Sequence, residues 1–228
     1  MMLDIPGLTI MLITGALCMW AQWRVKSAYS RNAQIATRSG MTGADIARHM
    51  MRQENIDDVD LKVIPGELTD HYDPKAKVVR LSEAVYYGNS ISALGIAAHE
   101  VGHVIQHAHG YAPMHLRSIV YPVASIGSGL GPYLVLAGFF MHFSPLLWAG
   151  VFLFAAATAF TVVTLPVEFN ASSRALHALE YGTILLPDEM KGARQVLNAA
   201  ALTYVAAAVT SVLWLLHYVM LANSQDRD

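Results

Sequence analysis

The chain of 228 residues has little charge and almost no cysteine. Charged residues make up 14% of it and apolar residues 54%, a composition poor in charge for a soluble protein. There is no run of Lys or Arg and no basic stripe with interleaved aromatic residues, which argues against nucleic acid as a partner. Because Cys18 is the only cysteine, a disulfide within one chain and a metal site built from thiolates are both excluded.

The apolar residues are concentrated in four long runs. Crossing the hydrocarbon core of a bilayer takes roughly 20 helical residues, and each run reaches about that length. The runs cover approximately residues 3–23, 118–141, 146–165 and 199–222. The last three contain no Asp, Glu, Lys or Arg. A chain this short could not bury four such runs inside a globule. We therefore predict a mainly α integral membrane protein with four transmembrane helices, residues 1–228 forming a single membrane unit.

The distribution of cationic residues predicts the orientation of these spans. Met1 to Asp4 contain no Lys or Arg, so the first run lacks the basic start of a signal peptide and is expected to be retained as an anchor. Of the 15 Lys and Arg residues, 14 fall in segments 24–117 and 166–198. Cationic loops prefer the cytoplasmic side. We expect a multi-pass protein of the cell membrane with both segments in the cytoplasm and both termini outside.

Segment 24–117 is long enough for a small α+β portion. A helix capped by Thr42 is expected to end near Asn55, and a second helix to run from about Ser92 to about His109. Between them, turn residues separate short β-like runs, which predict a small meander of three strands. These runs cover residues 61–64, 68–72 and 77–81.

The second helix carries the pattern HExxH. A helix places His99 and His103 one turn apart on one face, where both imidazoles can reach a single metal ion. Glu100 lies on the adjoining face and is expected to be the general base, taking a proton from a metal-activated water and passing it to the leaving amine. Gly102 would allow close approach of a partner element. The preceding strand, 77–82, is expected to bind substrate backbone by strand addition.

A catalytic zinc site has three protein ligands and one open position, so a third ligand must come from elsewhere. His109 lies ten residues after His99, as in the pattern HExxHxxGxxH, but Gln106 stands where that pattern has a helix-breaking glycine. Glu168 follows Pro166 at the end of the third span. A carboxylate beside an apolar span needs a partner, because burying it unpaired is costly. Glu168 is therefore the favoured third ligand.

These motifs resemble the neutral zinc metallopeptidases of the YugP-like membrane family. The likeness covers nearly the whole chain and is carried by the segments LTDHYDP at 68–74, VRLS at 79–82, AAHEVGHVIQ at 97–106, GYAP at 110–113 and PVEFNAS at 166–172. It implies one zinc ion per chain bound by His99, His103 and Glu168, with Glu100 as the base. The organisation is also similar to HtpX-type membrane proteases, in which an Asp usually follows the glutamate ligand by four residues and orients a histidine. Here that place holds Ser172.

The sequence thus predicts a zinc-dependent endopeptidase with its metallopeptidase portion at the cytoplasmic face. Expected substrates are membrane-associated polypeptides. The protein is expected to lie in a lipid bilayer. Whether it forms a homo-oligomer or binds a regulatory membrane partner is left open by the sequence. The alternative is a catalytically silent zinc-binding scaffold or adaptor, although the presence of Glu100 argues against it. A metal transporter is disfavoured because His217 is the one strong titratable candidate well inside a span.

Two further questions stay open at the level of sequence. His71, His177 and Tyr181 could each donate a hydrogen bond to an oxyanion. Small residues in the second span would allow close helix packing, either within one chain or between protomers. They are Gly127, Gly129 and Gly131.

Overall fold

The computed structural model describes residues 5–226. The start of the first predicted span, residues 3 and 4, and the cationic residue 227 lie outside the described part. The elements in chain order are α1 Ile5–Asn32, α2 Gly43–Gln53, β1 Asp60–Ile64, β2 His71–Asp73, β3 Val78–Ser82, α3 Glu83–Tyr86, α4 Ile91–Ala108, α5 Ala112–Phe140, α6 Ser144–Tyr181 and α7 Pro187–Gln225.

The four predicted transmembrane helices are present as α1, α5, α6 and α7. Each is long enough and apolar enough to cross a membrane. The helices extend beyond the apolar runs, most of all α6 and α7, which contain 38 and 39 residues. The fold class predicted from sequence is confirmed: the chain is a mainly α membrane protein that also contains a small three-stranded sheet.

The described residues form two compact units, each with its own core. The first contains the chain up to Ala21, His115–Pro166, and the chain from Thr203 onward. The second contains Gln22–Met114 and Val167–Leu202. Within the first unit, α5 and α6 pack closely through glycine. A Cβ atom on Gly127 would clash with the backbone of Leu153, and one on Gly131 would lie 3.1 Å from the Phe154 nitrogen. Among residues 5–226, a Cβ atom on Gly129 would meet nothing within 4 Å apart from its own stretch of helix.

These glycine contacts answer one question that the sequence left open. Gly127 and Gly131 serve packing within the α5–α6 hairpin of one chain, because their neighbours lie on α6 of the same molecule. Gly129 faces open space. Small residues allow such backbone approach between helices that cross a membrane.

The core of the second unit joins α2, β3 and α4 to the ends of α6 and α7. Its fully buried side chains include Ile46, Leu81, Leu94 and Leu179. Helix α2 begins with the capping box that its sequence predicts: the Thr42 hydroxyl accepts from the Asp45 amide, and the Asp45 carboxylate accepts from the Thr42 amide.

The sheet differs from the predicted meander. Its strand order is β1-β3-β2, with β1 parallel and β2 antiparallel to β3. The most apolar strand takes the centre: Val78, Val79 and Leu81 are at most 2% exposed, whereas β1 is largely exposed. β3 is paired with β1 along its whole length and with β2 over residues 78–80, so it is the central strand and not the edge strand that strand addition needs. The expectation that strand 77–82 binds substrate by strand addition is therefore wrong.

Candidate metal centre

Helix α4 places the two motif histidines side by side. The helix is capped by Ser90, whose hydroxyl accepts from the Ala93 amide, and it runs without interruption through the motif. The ring centroids of His99 and His103 are 4.8 Å apart. Both side chains are nearly buried, with 13% and 10% of their surface exposed. Because the two histidines are four residues apart in one helix, their imidazole rings lie next to each other on the same face.

Glu168 comes to the same point from α6. Its side chain is 3% exposed, and its Oε2 atom lies 3.3 Å from His99 Nε2 and 3.5 Å from His103 Nε2. The three side chains each offer one ligand atom, and these atoms all lie within 4.8 Å of one another. The structure therefore brings together the three residues that the sequence favours as ligands, although 65 positions separate His103 from Glu168.

The donor atoms fit a zinc ion. Zinc binds nitrogen and oxygen ligands at about 2.0–2.2 Å, so two ligand atoms of a tetrahedral site lie about 3.3–3.5 Å apart. The distances of 3.3 and 3.5 Å from the carboxylate oxygen to the two imidazole nitrogens match that spacing. Two histidines with one carboxylate also leave the fourth position open, as catalytic zinc sites require. Within residues 5–226, His99, His103 and Glu168 are the group with such spacing.

Glu100 lies beside this group without belonging to it. Its side chain is buried, and its carboxylate is not among the three converging ligand atoms. Burial by itself would lower the pKa of His103, but the hydrogen bond with Glu168 and the nearby negative charges of Glu100 and Glu168 outweigh it and raise the pKa. Glu100 is thus close enough to act on His103 electrostatically, although it is not one of the three converging groups.

Each motif histidine has a partner on its other ring nitrogen. The Nδ1 atom of His99 lies 3.1 Å from the Ser172 hydroxyl, and the Nδ1 atom of His103 lies 3.0 Å from the side-chain oxygen of Gln106. Such contacts orient imidazole ligands and direct the Nε2 lone pair to the metal. Ser172 stands where the HtpX-type pattern has an Asp. In the sequence Gln106 stands out only because it replaces the glycine of the pattern HExxHxxGxxH, although its spacing of three from His103 places both on one helix face.

The rival third ligand lies elsewhere. Helix α4 continues through Gln106 to Ala108, so the chain does not turn back as the pattern HExxHxxGxxH requires. His109 is the C-terminal cap of the helix, and its Nε2 atom lies 3.3 Å from a carboxylate oxygen of Glu54. His107 instead pairs with the Tyr72 hydroxyl at 2.8 Å.

The three candidate oxyanion donors also have other contacts. The His177 ring stacks on Tyr181, with ring centroids 5.2 Å apart, and Tyr181 is 85% exposed. His71 Nδ1 lies 2.8 Å from the carbonyl oxygen of Thr69. None of the three belongs to the group of converging ligand atoms.

Comparison with known proteins finds matches that cover most of the chain. The profile of a family described as "Putative neutral zinc metallopeptidase" matches residues 8–223. A similar protein is the "Putative membrane protease YugP" of Bacillus subtilis (strain 168), which is 46% identical over 213 residues, covering 93% of this chain and 95% of the relative. No solved structure matches the chain.

Proposed function

The chain belongs to the neutral zinc metallopeptidase family whose profile matches residues 8–223, and on this basis we propose that it is a membrane-embedded endopeptidase. In this proposal His99, His103 and Glu168 hold one zinc ion and Glu100 is the general base. The observation that carries it is the convergence of two imidazole nitrogens and one carboxylate oxygen within 4.8 Å, next to a buried second carboxylate.

The roles of the residues follow from their chemistry. Zinc, when bound, supplies a Lewis acid that polarises a carbonyl and makes water acidic enough to attack at neutral pH. Glu100 accepts the proton of the attacking water and returns it to the amine that leaves. Glu168 is the more buried of the two carboxylates and has both histidines as partners, which suits a ligand.

The substrates that we propose are polypeptides associated with the membrane. The protein is itself held in the membrane by four apolar helices, so chains in the same membrane meet it more often than soluble chains do. The charge bias supports an active site that faces the cytoplasm, since 14 of the 15 cationic residues lie in segments 24–117 and 166–198. In sequence, Glu168 follows the third apolar run by three residues.

The test compares purified wild type with Glu100→Gln in detergent. Both should contain about one zinc ion per chain, because Glu100 is not a ligand. Wild type should cleave casein, and the variant should cleave it about 10²–10⁴-fold more slowly. If zinc-loaded wild type cleaves no polypeptide, the proposed peptidase activity is wrong and the catalytically silent zinc-binding scaffold is favoured.

Substrate choice is tested with one peptide sequence, either free in solution or joined to a transmembrane anchor in the same micelles. We expect the anchored form to be cleaved faster.

A further inference from the structure

Gln106 is a polar side chain with no exposed surface. Its amide nitrogen donates to the Val167 carbonyl oxygen at 2.7 Å and to the Asn170 side-chain oxygen at 3.0 Å. Its amide oxygen lies 3.0 Å from His103 Nδ1. Because the Val167 carbonyl can only accept, the NH₂ group must face it, and this fixes which end of the amide faces the histidine.

The orientation of the amide determines the form of the imidazole. An amide oxygen accepts hydrogen bonds and cannot donate, so His103 Nδ1 must carry a proton for this contact to form. In a neutral imidazole the lone pair is then on Nε2, the atom 3.5 Å from the Glu168 carboxylate. This is the tautomer that a metal ion needs at that place. A serine hydroxyl, as at His99, can donate or accept and does not impose this choice.

The same amide also links the two helices that carry the ligands. Val167 and Asn170 flank Glu168 on α6, while Gln106 and His103 lie on α4. Burying a polar side chain is costly unless its hydrogen bonds are made, and Gln106 makes one with each of three partners. One of these partners is a proposed metal ligand, so the amide acts on the orientation of His103 as well as on the packing of α4 against α6.

We propose that Gln106 is a positioning residue, which holds His103 in the metal-binding tautomer and couples its orientation to the segment that carries Glu168. This inference rests on the proposed zinc site. It concerns metal affinity, so it can be measured without any substrate.

The test uses two variants of Gln106. Both remove the NH₂ group of the amide, but only one keeps an oxygen atom that can accept from His103 Nδ1. Gln106→Met keeps the length of the side chain and removes every hydrogen bond. Gln106→Glu keeps an oxygen that accepts from His103 Nδ1, whether or not the new carboxyl group is protonated. Zinc affinity is measured by competition with a chelator, the environment of the site by the visible spectrum of bound Co²⁺, and fold stability by thermal unfolding of the metal-free protein.

We expect Gln106→Met to lose about 10- to 100-fold in zinc affinity, whereas Gln106→Glu should bind zinc no more than a few-fold more weakly than wild type and should keep a tetrahedral Co²⁺ spectrum. Rescue by glutamate at equal or lower thermal stability is the result that a purely structural role would not give. If both variants lose zinc affinity in parallel with their loss of stability, the positioning role is wrong while the zinc site stands. If wild type itself fails to bind zinc, the proposed function fails as well.

Discussion

Gly102 lies so close to α6 that a Cβ atom at this position would be 2.6 Å from the carbonyl oxygen of Ala171. The two ligand-bearing helices therefore meet backbone to backbone within the metal motif. Gly102 directly precedes His103, and Ala171 follows Glu168 by three residues. The close approach brings the Glu168 side chain to both histidines, so we expect the glycine of the motif to affect the geometry of the proposed metal site.

Gly102→Ala is predicted to weaken both the fold and the site. Alanine favours a helix over glycine by about 1 kcal/mol, but the added methyl group has to push α4 away from α6, and overpacking of this kind costs about 1–3 kcal/mol. We expect a lower unfolding temperature and lower zinc affinity. Gly95→Ala is the matched control in the same helix, because its Cβ would lie at an ordinary 3.9 Å from Ala193 Cβ. Equal behaviour of the two variants would contradict the argument.

The residues of the motif could be found from sequence because they depend on local periodicity. The spacing of His99 and His103 requires only that α4 is a helix, and Glu168 was indicated by a carboxylate next to an apolar run. The contacts of Gln106 with Val167 and Asn170, and that of Ser172 with His99, could not be found in the same way. They depend on which face of α6 turns toward α4, and that is a matter of tertiary packing.

For the sheet, too, the sequence predicted the local elements but not how they pair. Alternating apolar residues and turns located all three strands to within a few residues, but strand pairing is a long-range choice. The burial of Val79 and Leu81 places β3 between two partners, while the predicted meander would have left it at an edge. The β1–β3 pair is parallel, and such pairing is not visible in the local sequence.

Removal of any one proposed ligand should abolish tight zinc binding. His99→Ala, His103→Ala and Glu168→Ala each leave two of the three donors, and zinc content after dialysis against a weak chelator is expected to fall well below one ion per chain. Metal content by mass spectrometry is the measurement. His109→Ala is the control, because His109 contacts Glu54 and is half-exposed. If Glu168→Ala keeps its zinc and His109→Ala loses it, the ligand set is wrong.

The proposed orientation predicts which surface residues are accessible from outside the cell. In a Cys18→Ser background, a cysteine at Lys75, in the exposed turn between β2 and β3, should react with an impermeant maleimide only after permeabilisation. A cysteine at the exposed Ser224, near the end of α7, should react in intact cells. If Lys75→Cys is labelled without permeabilisation, the proposed cytoplasmic location of this segment is wrong. Zinc content of each variant checks that the fold is retained.

Ser172 offers a test of how firmly His99 is held. Its hydroxyl is 3.1 Å from His99 Nδ1 and can donate or accept, so it leaves the tautomer of His99 less restricted than Gln106 leaves that of His103. A carboxylate can only accept, and it raises the basicity of a metal-binding imidazole. Ser172 also borders a groove of about 330 Å³ between α6 and α7, which gives room for a larger side chain.

We therefore predict that Ser172→Ala lowers zinc affinity by about 10-fold and that Ser172→Asp raises it above wild type. Ser172→Asn is the control for size, because its side chain has nearly the same shape as aspartate without the charge. Chelator competition at constant pH measures all three, and thermal unfolding of the metal-free proteins reports any general damage to the fold. If alanine and aspartate change zinc affinity equally, the contact with His99 contributes only packing. A higher affinity for aspartate than for asparagine would attribute the gain to charge at the Nδ1 atom of His99.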